Sequence, residues 1–360
     1  MGAADGRLSS VAPTASARQL RAALQKADGT FDPAVRLREL VAQGLDALPL
    51  PGAGQTLERW RALAAVAGHD LSLAKLYEGH TDALAILAEL EGTESKREFT
   101  GTDGIWGVWA SEGPDGRLGI EPDPAGEPGA VLLRGVKHWC SGAQTGTHAL
   151  VTAWHPDESC SQLVRVNLAQ PGVEVRSDRW KAVGMAGSAS LQVRFHAARA
   201  YRVGGAGAYV SRPGFWHGGA GIAACWYGGA VALAEAFRQS ILQGSAALRS
   251  PFRLAAAGRV DVLLQGVSLM LQHAASWIDQ HPREDASLVA LRVRLAAARC
   301  ATQVLDEVGS AWGPTPYCTD AAFARMAADL PVFVRQSHAD RDYAALAEKL
   351  PFRENDLWAL

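Results

Sequence analysis

Apolar positions along this chain follow two different periods, and the change between them divides it. From Asp32 to Ala47 they fall at helical spacing, at Val35, Leu37, Leu40, Val41 and Leu45, with Leu48 just beyond. Pro49 to Gly54 is a break, after which Thr56 is placed to cap a helix that runs through Gly68. Asp70 opens another helix, with Leu71, Ala74, Leu76, Leu84, Ile86, Leu87 and Leu90 as its apolar positions, and Gly92 ends it. The first thirty residues are rich in Ala, Ser and Gly and predict at most one loose helix.

After Gly101 the period shortens. Ile105–Ala110, Ala130–Cys140, His148–Trp154, Gln162–Leu168 and Leu191–Phe195 are short apolar runs separated by Gly, Pro, Asp and Ser. They predict strands with frequent reversals, and Pro122 to Pro124 and Pro171-Gly172 mark loops. From Gly204 the helical period returns. Gly214–Leu242 is rich in Ala and Gly, which lets another helix approach closely, and Gly244–Pro251 is a break. Phe252–Gln280, Ala286–Gly309 and Thr319–Leu350 then each sustain apolar positions over several turns. The expected fold class is α+β, with an N-terminal helical unit (1–98), a central β-barrel-like unit (99–203) and a C-terminal four-helix bundle (204–360).

A chain of 360 residues exceeds what one core readily serves, so more than one packed unit is expected. Net charge is −2 with no basic stripe, which gives a nucleic-acid partner no electrostatic support. Five scattered cysteines without a CxxC step read as free thiols in a reducing compartment. No secretory leader and no run of about 18 apolar residues stand out, so the expectation is a cytoplasmic protein away from membranes.

Candidate chemistry concentrates in Gly135–Ala153. A strand here would put Trp139 and Ser141 on one face, two residues apart, setting a flat apolar wall beside a hydroxyl. A planar ring ligand needs that pair, although a core Trp of a β-unit would look the same. The histidines show no metal-ligand spacing, so no metal site is expected. Tyr201–Gly207 contains glycines but lacks the context of a dinucleotide fingerprint. Gly214–Tyr227, aromatic and small, suits helix packing or a ligand tunnel.

Four separated segments carry a resemblance. Trp109-Ala110-Ser111-Glu112-Gly113-Pro114 is similar to a first flavin loop. Gly135-Val136-Lys137-His138-Trp139-Cys140-Ser141 resembles a G-x-K-x-W-I-[TS] strand. Trp180 to Ser188 resembles a later K-x-G-x-R-x-S turn, and Gly204 sits at the entry to the C-terminal helices. With the helix–sheet–helix order, over roughly residues 30 to 345, the chain resembles the acyl-CoA dehydrogenase family of flavoproteins. The resemblance implies bound FAD, with Trp109 and Trp139 beside the flavin, and Ser111 and Ser141 hydrogen-bonded to its edges. It also implies an acyl-CoA or other acyl thioester substrate, an electron-transfer partner or oxygen, and a homodimer or homotetramer.

The departures from that pattern matter. The family takes the substrate α-proton with a carboxylate, and counting nine residues on from Arg325 reaches only Val334-Arg335-Gln336. On the first bundle helix the aligned stretch is Gly228-Gly229-Ala230-Val231, with Glu235 a turn later as the candidate base and a surface carboxylate as the plainer reading. The Arg-x-x-Phe-Gly step toward FAD phosphates is missing, and Arg249-Ser250-Pro251-Phe252 is a poor substitute. Arg335-Gln336-Ser337-His338 through Tyr343 looks instead like the flavin monooxygenase branch of the fold. There His338 would shuttle a proton and Arg335 would supply positive charge, unless they only form a solvated helix face. Three functions therefore stay open: thioester oxidation with a non-standard base, flavin-dependent oxygenation, and a non-catalytic relative.

Overall fold

The computed structural model describes residues 14–26, 31–92, 104–113, 117–124, 126–155, 159–178, 180–243, 250–352 and 358. Four helices come first: α1 (Ala17–Gln25), α2 (Pro33–Ala42), α3 (Thr56–Ala67) and α4 (Leu71–Glu91). The α1 stretch is well formed, because Ser16 and Gln19 make a capping box at its start. Asp32 caps α2, and Asp70 caps α4 by accepting the Leu73 N–H at 2.8 Å. Thr56 does not act as the cap expected of it. It is the first helical residue of α3, and its hydroxyl donates to Asp279 at 2.6 Å.

Strands β1 (Trp106–Trp109), β2 (Gly119–Pro122), β3 (Ala130–Cys140), β4 (His148–Ala153), β5 (Gln162–Asn167), β6 (Val173–Arg176) and β7 (Leu191–Val203) form one mixed sheet in the order β1-β4-β5-β7-β3-β2. Among the described strands, β1 and β4 are the one pair whose ladder runs parallel. The expected barrel is an open sheet whose flanks meet at a single bridge between Gly119 and Trp154. Strand β7 is much longer than the Leu191–Phe195 expectation. It pairs with β3 along one edge and shares the other between β6 and β5.

Helices α5 (Ala208–Ser211), α6 (Gly214–Gly219), α7 (Ile222–Gln243), α8 (Pro251–Gln280), α9 (Ser287–Trp312), α10 (Thr315–Thr319), α11 (Ala321–Phe333) and α12 (Asp340–Glu348) follow. Helix α7 packs on α9, α8 and α11 and also on α3, so the helices before and after the sheet share one core. Gly228 permits this closeness, since a Cβ there would lie 2.4 Å from the Ala64 carbonyl oxygen. Thr319–Leu350 is two helices instead of one. Pro331 lies inside the last turn of α11, a short 3₁₀ turn follows at Val334–Gln336, and Ala339 adopts φ +46° before α12.

The central element is α4. Leu71, Leu73, Leu76 and Tyr77 in its first half belong to the helical core. Ala83, Leu84, Ile86 and Leu87 in its second half pack on Trp106, Leu150, Leu163 and Val203 of the sheet. By length and composition α7 and α8 could each span a membrane. Helix α7 is mostly buried within the protein, whereas α8 turns Phe252, Val262 and Leu269 to the outside.

Candidate active site

The site begins with a departure from strand geometry. Alternation along β3 would bury Trp139 with Lys137, yet Lys137 is buried and Trp139 is 59% exposed. The register shifts between Lys137 and Cys140, and Trp139 sits at φ +59°. That conformation costs a non-glycine residue about 1 kcal/mol or more, and the bulge re-aims the indole outward. Ser141 lies beyond the strand in the turn to β4, so the simple shared face expected of Trp139 and Ser141 does not form.

Lys137 anchors this bulge. Its ammonium donates to the Thr152 carbonyl at 3.0 Å, the Thr152 hydroxyl at 2.8 Å and Glu112 at 3.0 Å. Burial pulls its pKa down, and the Glu112 carboxylate opposes that shift. Glu112 also accepts the Trp154 indole N–H at 3.1 Å, which ties the 110–113 loop to the end of β4. Ser111, in the same loop, is exposed.

Ser141 opens a hydroxyl chain. Its Oγ lies 2.7 Å from Ser190 Oγ, which lies 3.1 Å from Ser188 Oγ, and Ser188 donates to the Met185 carbonyl at 2.8 Å. Met185 and Ala189 both have positive φ in this turn. The Met185 N–H donates to Asp329 of α11, and Gly184 lies so close to α11 that a Cβ would meet the Ala328 carbonyl. The turn that contacts Ser141 is thus fixed to the helix that leads into Arg335 and His338.

Trp109 is not a wall for a ligand. It is buried in the sheet core, and its indole N–H donates to the Ser141 carbonyl at 3.1 Å. Trp109, Trp139 and Ser141 come together here, with Trp109 as the support behind. Glu235 stands elsewhere, on an exposed stretch of α7. Hydrogen bonds from Arg238 and Gln239 hold its carboxylate down at about 2, which opposes a role as base. Arg335 is exposed in the 3₁₀ turn. His338 is also exposed, with Nδ1 3.5 Å from Asp342, whose carboxylate accepts the His338 N–H at 3.1 Å and the Ser337 hydroxyl at 3.2 Å. These two residues occupy a turn between helices and not a helix face.

Beside Ser141 lies a narrow cleft whose free space, about 20 Å³, is that of about one water. Lys75, Leu76 and Gly79 of α4 form one side, and Trp106 to Val108 of β1 with Ser141, Gly142 and Thr145 form the other. Behind Lys75 lies a cluster that spacing along the sequence could not expose. Lys75 Nζ is 3.2 Å from Glu78, and Arg59 donates to Asp82 at 2.6 Å, one turn further along α4. Burial raises the Glu78 pKa, with the Lys75 charge opposing and the Asp82 charge adding to the rise. Arg294 of α9 faces both Glu78 and Asp342.

No family model matches this sequence, and no curated protein does either. Solved structures do. Dibenzothiophene monooxygenase TdsC from Paenibacillus sp. A11-2, solved with FMN and indole, superposes with a TM-score of 0.75 at 17% identity, covering 94% of this chain and 95% of that one. Methanesulfinate monooxygenase MsuC from Pseudomonas fluorescens gives a TM-score of 0.77 at 20% identity, covering 94% and 96%. KijD3, solved with FMN and a dTDP-linked amino keto sugar, gives 0.76 at 19%, covering 92% and 90%. The likeness is one of fold. This chain has the acyl-CoA dehydrogenase-like fold of flavin-binding enzymes.

Proposed function

We propose that this protein is a flavin-dependent monooxygenase that binds reduced FMN against Trp139. The observation that carries the reading is the outward Trp139 indole, held at φ +59° beside the Ser141–Ser190–Ser188 hydroxyls. An exposed apolar ring in a costly conformation is a prepared surface for a flat ligand, and the adjacent hydroxyls suit the polar edge of a flavin. Bound reduced flavin would supply the electrons that activate dioxygen.

Oxygenation is better supported than acyl thioester oxidation. No carboxylate lines the cleft among the described residues, and Glu235 is tied to Arg238. Flavin-bound and monooxygenase neighbours support the same choice, and FMN suits a chain without the Arg-x-x-Phe-Gly step better than FAD does. Trp139 would orient the ring, and Ser141 would fix its edge. His338, exposed beside Asp342, would move a proton at its imidazole, and Arg335 would add positive charge nearby.

The deciding experiment mixes flavin-loaded protein with oxygen after anaerobic reduction, and separately with short and long acyl-CoA under anaerobic conditions. FMN binding with oxygen-dependent reoxidation and no bleaching by any thioester is expected. Bleaching by acyl-CoA would restore the dehydrogenase, and absence of any flavin binding would leave a non-catalytic relative. We also propose a homo-oligomer in which the outward face of α8 is buried between copies. Gly258 and Gly266 give that face open space for a close helix crossing. A monomeric mass in sedimentation would refute it.

A further inference from the structure

The carboxylate of Asp342 is buried beneath an exposed turn. The residue is 8% exposed and stands third in α12, just after the chain reverses through Ala339 at φ +46°. One of its oxygens, Oδ2, accepts the His338 N–H at 3.1 Å and the Ser337 hydroxyl at 3.2 Å. A carboxylate that only ties down a helix start needs that oxygen alone. Here the other oxygen, Oδ1, faces His338 Nδ1 at 3.5 Å. Arg294 of α9 brings a cation toward Asp342, which supports a carboxylate that stays ionised although buried.

The two oxygens divide their work, and the division bears on the imidazole. An ionised carboxylate only accepts, so the ring nitrogen that faces it must carry the proton. That nitrogen is Nδ1, which leaves the lone pair on Nε2, at the far end of a side chain that is 63% exposed. An imidazole backed in this way is suited to take a proton at Nε2, because the carboxylate stabilises the cation that results. A separation of 3.5 Å is long for the supporting bond, and bonds of this kind shorten when a reacting group engages the other nitrogen.

We infer that Asp342 is a positioning residue that holds His338 in the Nδ1–H tautomer and so makes Nε2 the proton-accepting atom. The part His338 plays in a reaction rests on the flavin-enzyme reading, whereas the tautomer does not. The assignment adds a direction to that reading. The proton leaves the reacting group for Nε2, Asp342 stays ionised throughout, and the exposed ring returns the proton to water.

The test reads the side-chain nitrogen resonances of labelled histidines by NMR, in protein without flavin. His338 is assigned as the signal that disappears in His338→Gln. With its ring neutral, His338 of the parent should be mainly Nδ1–H, whereas an exposed imidazole without a partner favours Nε2–H. Asp342→Asn should invert the tautomer while leaving the melting temperature close to that of the parent. Its amide oxygen has to take the Oδ2 place to keep the Ser337 and His338 donors, which turns the NH2 group toward Nδ1. Asp342→Ala removes both oxygens and should also give Nε2–H. A parent ring that is mainly Nε2–H, or a tautomer unchanged in Asp342→Asn, would overturn the assignment. The parent spectrum decides by itself if both Asp342 variants fold poorly. Failure of FMN binding would overturn only the flavin reading, because these spectra are taken without flavin.

Discussion

The indole of Trp109 holds the backbone of Ser141, donating to its carbonyl from inside the sheet core at 3.1 Å. One buried tryptophan thus sets the height at which the β3–β4 turn presents its serine. Trp109→Phe removes the donor and leaves a carbonyl short of a partner, a loss of about 1–3 kcal/mol. Denaturant unfolding should show that loss, and flavin titration should show weaker binding, although Trp109 itself is buried.

Trp139 separates function from stability. Trp139→Gly relieves a positive φ at a side chain that is mostly in water, so thermal stability should hold or rise by up to about 1 kcal/mol. Flavin affinity should fall by tenfold or more. A variant that binds FMN as well as the parent would remove Trp139 from the site.

Asp70 gives stability a pH dependence of defined sign. Burial, with the nearby Asp329 charge, lifts its pKa to about 6, while the Leu73 N–H and Arg325 oppose the rise. The folded protein therefore holds a proton that the unfolded chain releases near pH 4. Stability should decline as pH rises from about 4 to about 6, by up to about 3 kcal/mol from this group, and then level off. Asp329 is raised by burial as well and contributes in the same direction. Asp70→Asn keeps a helix cap and should flatten this slope in melting curves taken across the range.

Gly228→Ala tests the close approach of α7 to α3. The new methyl would meet the Ala64 carbonyl oxygen at 2.4 Å and the Ala64 Cα at 2.9 Å, both backbone atoms that cannot turn aside. A loss of about 1–3 kcal/mol is expected in chemical unfolding.

Much of the architecture was legible because it follows local rules. Asp32 and Asp70 cap helices where acid residues precede apolar periodicity, and Phe252–Gln280 becomes α8 nearly end to end. The second half of β7 was not legible. His196-Ala197-Ala198-Arg199 breaks the apolar run, and only pairing with β3 and β5 keeps it extended past Ala197 at φ +55°. The site was half visible. Trp139 and Ser141 stand out as residue types, but a bulge that reverses the strand's faces is set by non-local pairing. Lys75, Glu78 and Asp82 read as an ordinary charged face of a helix, because their enclosure depends on α7, α9 and the sheet arriving around them.

Strand β7 has a consequence for how the chain is made. It is the partner of β3, β6 and β5 at once, and it is the last of the described strands. Without it the sheet stays in two pieces, β1-β4-β5 and β2-β3, with β6 unpaired, until residue 203 has left the ribosome. By then α1 to α4 have been synthesised, while α7, the principal partner of α3, has not. The α7-facing flank of α3 must wait open through more than a hundred residues of synthesis. The nascent chain is therefore most prone to aggregate in that interval, and a chaperone would matter most there.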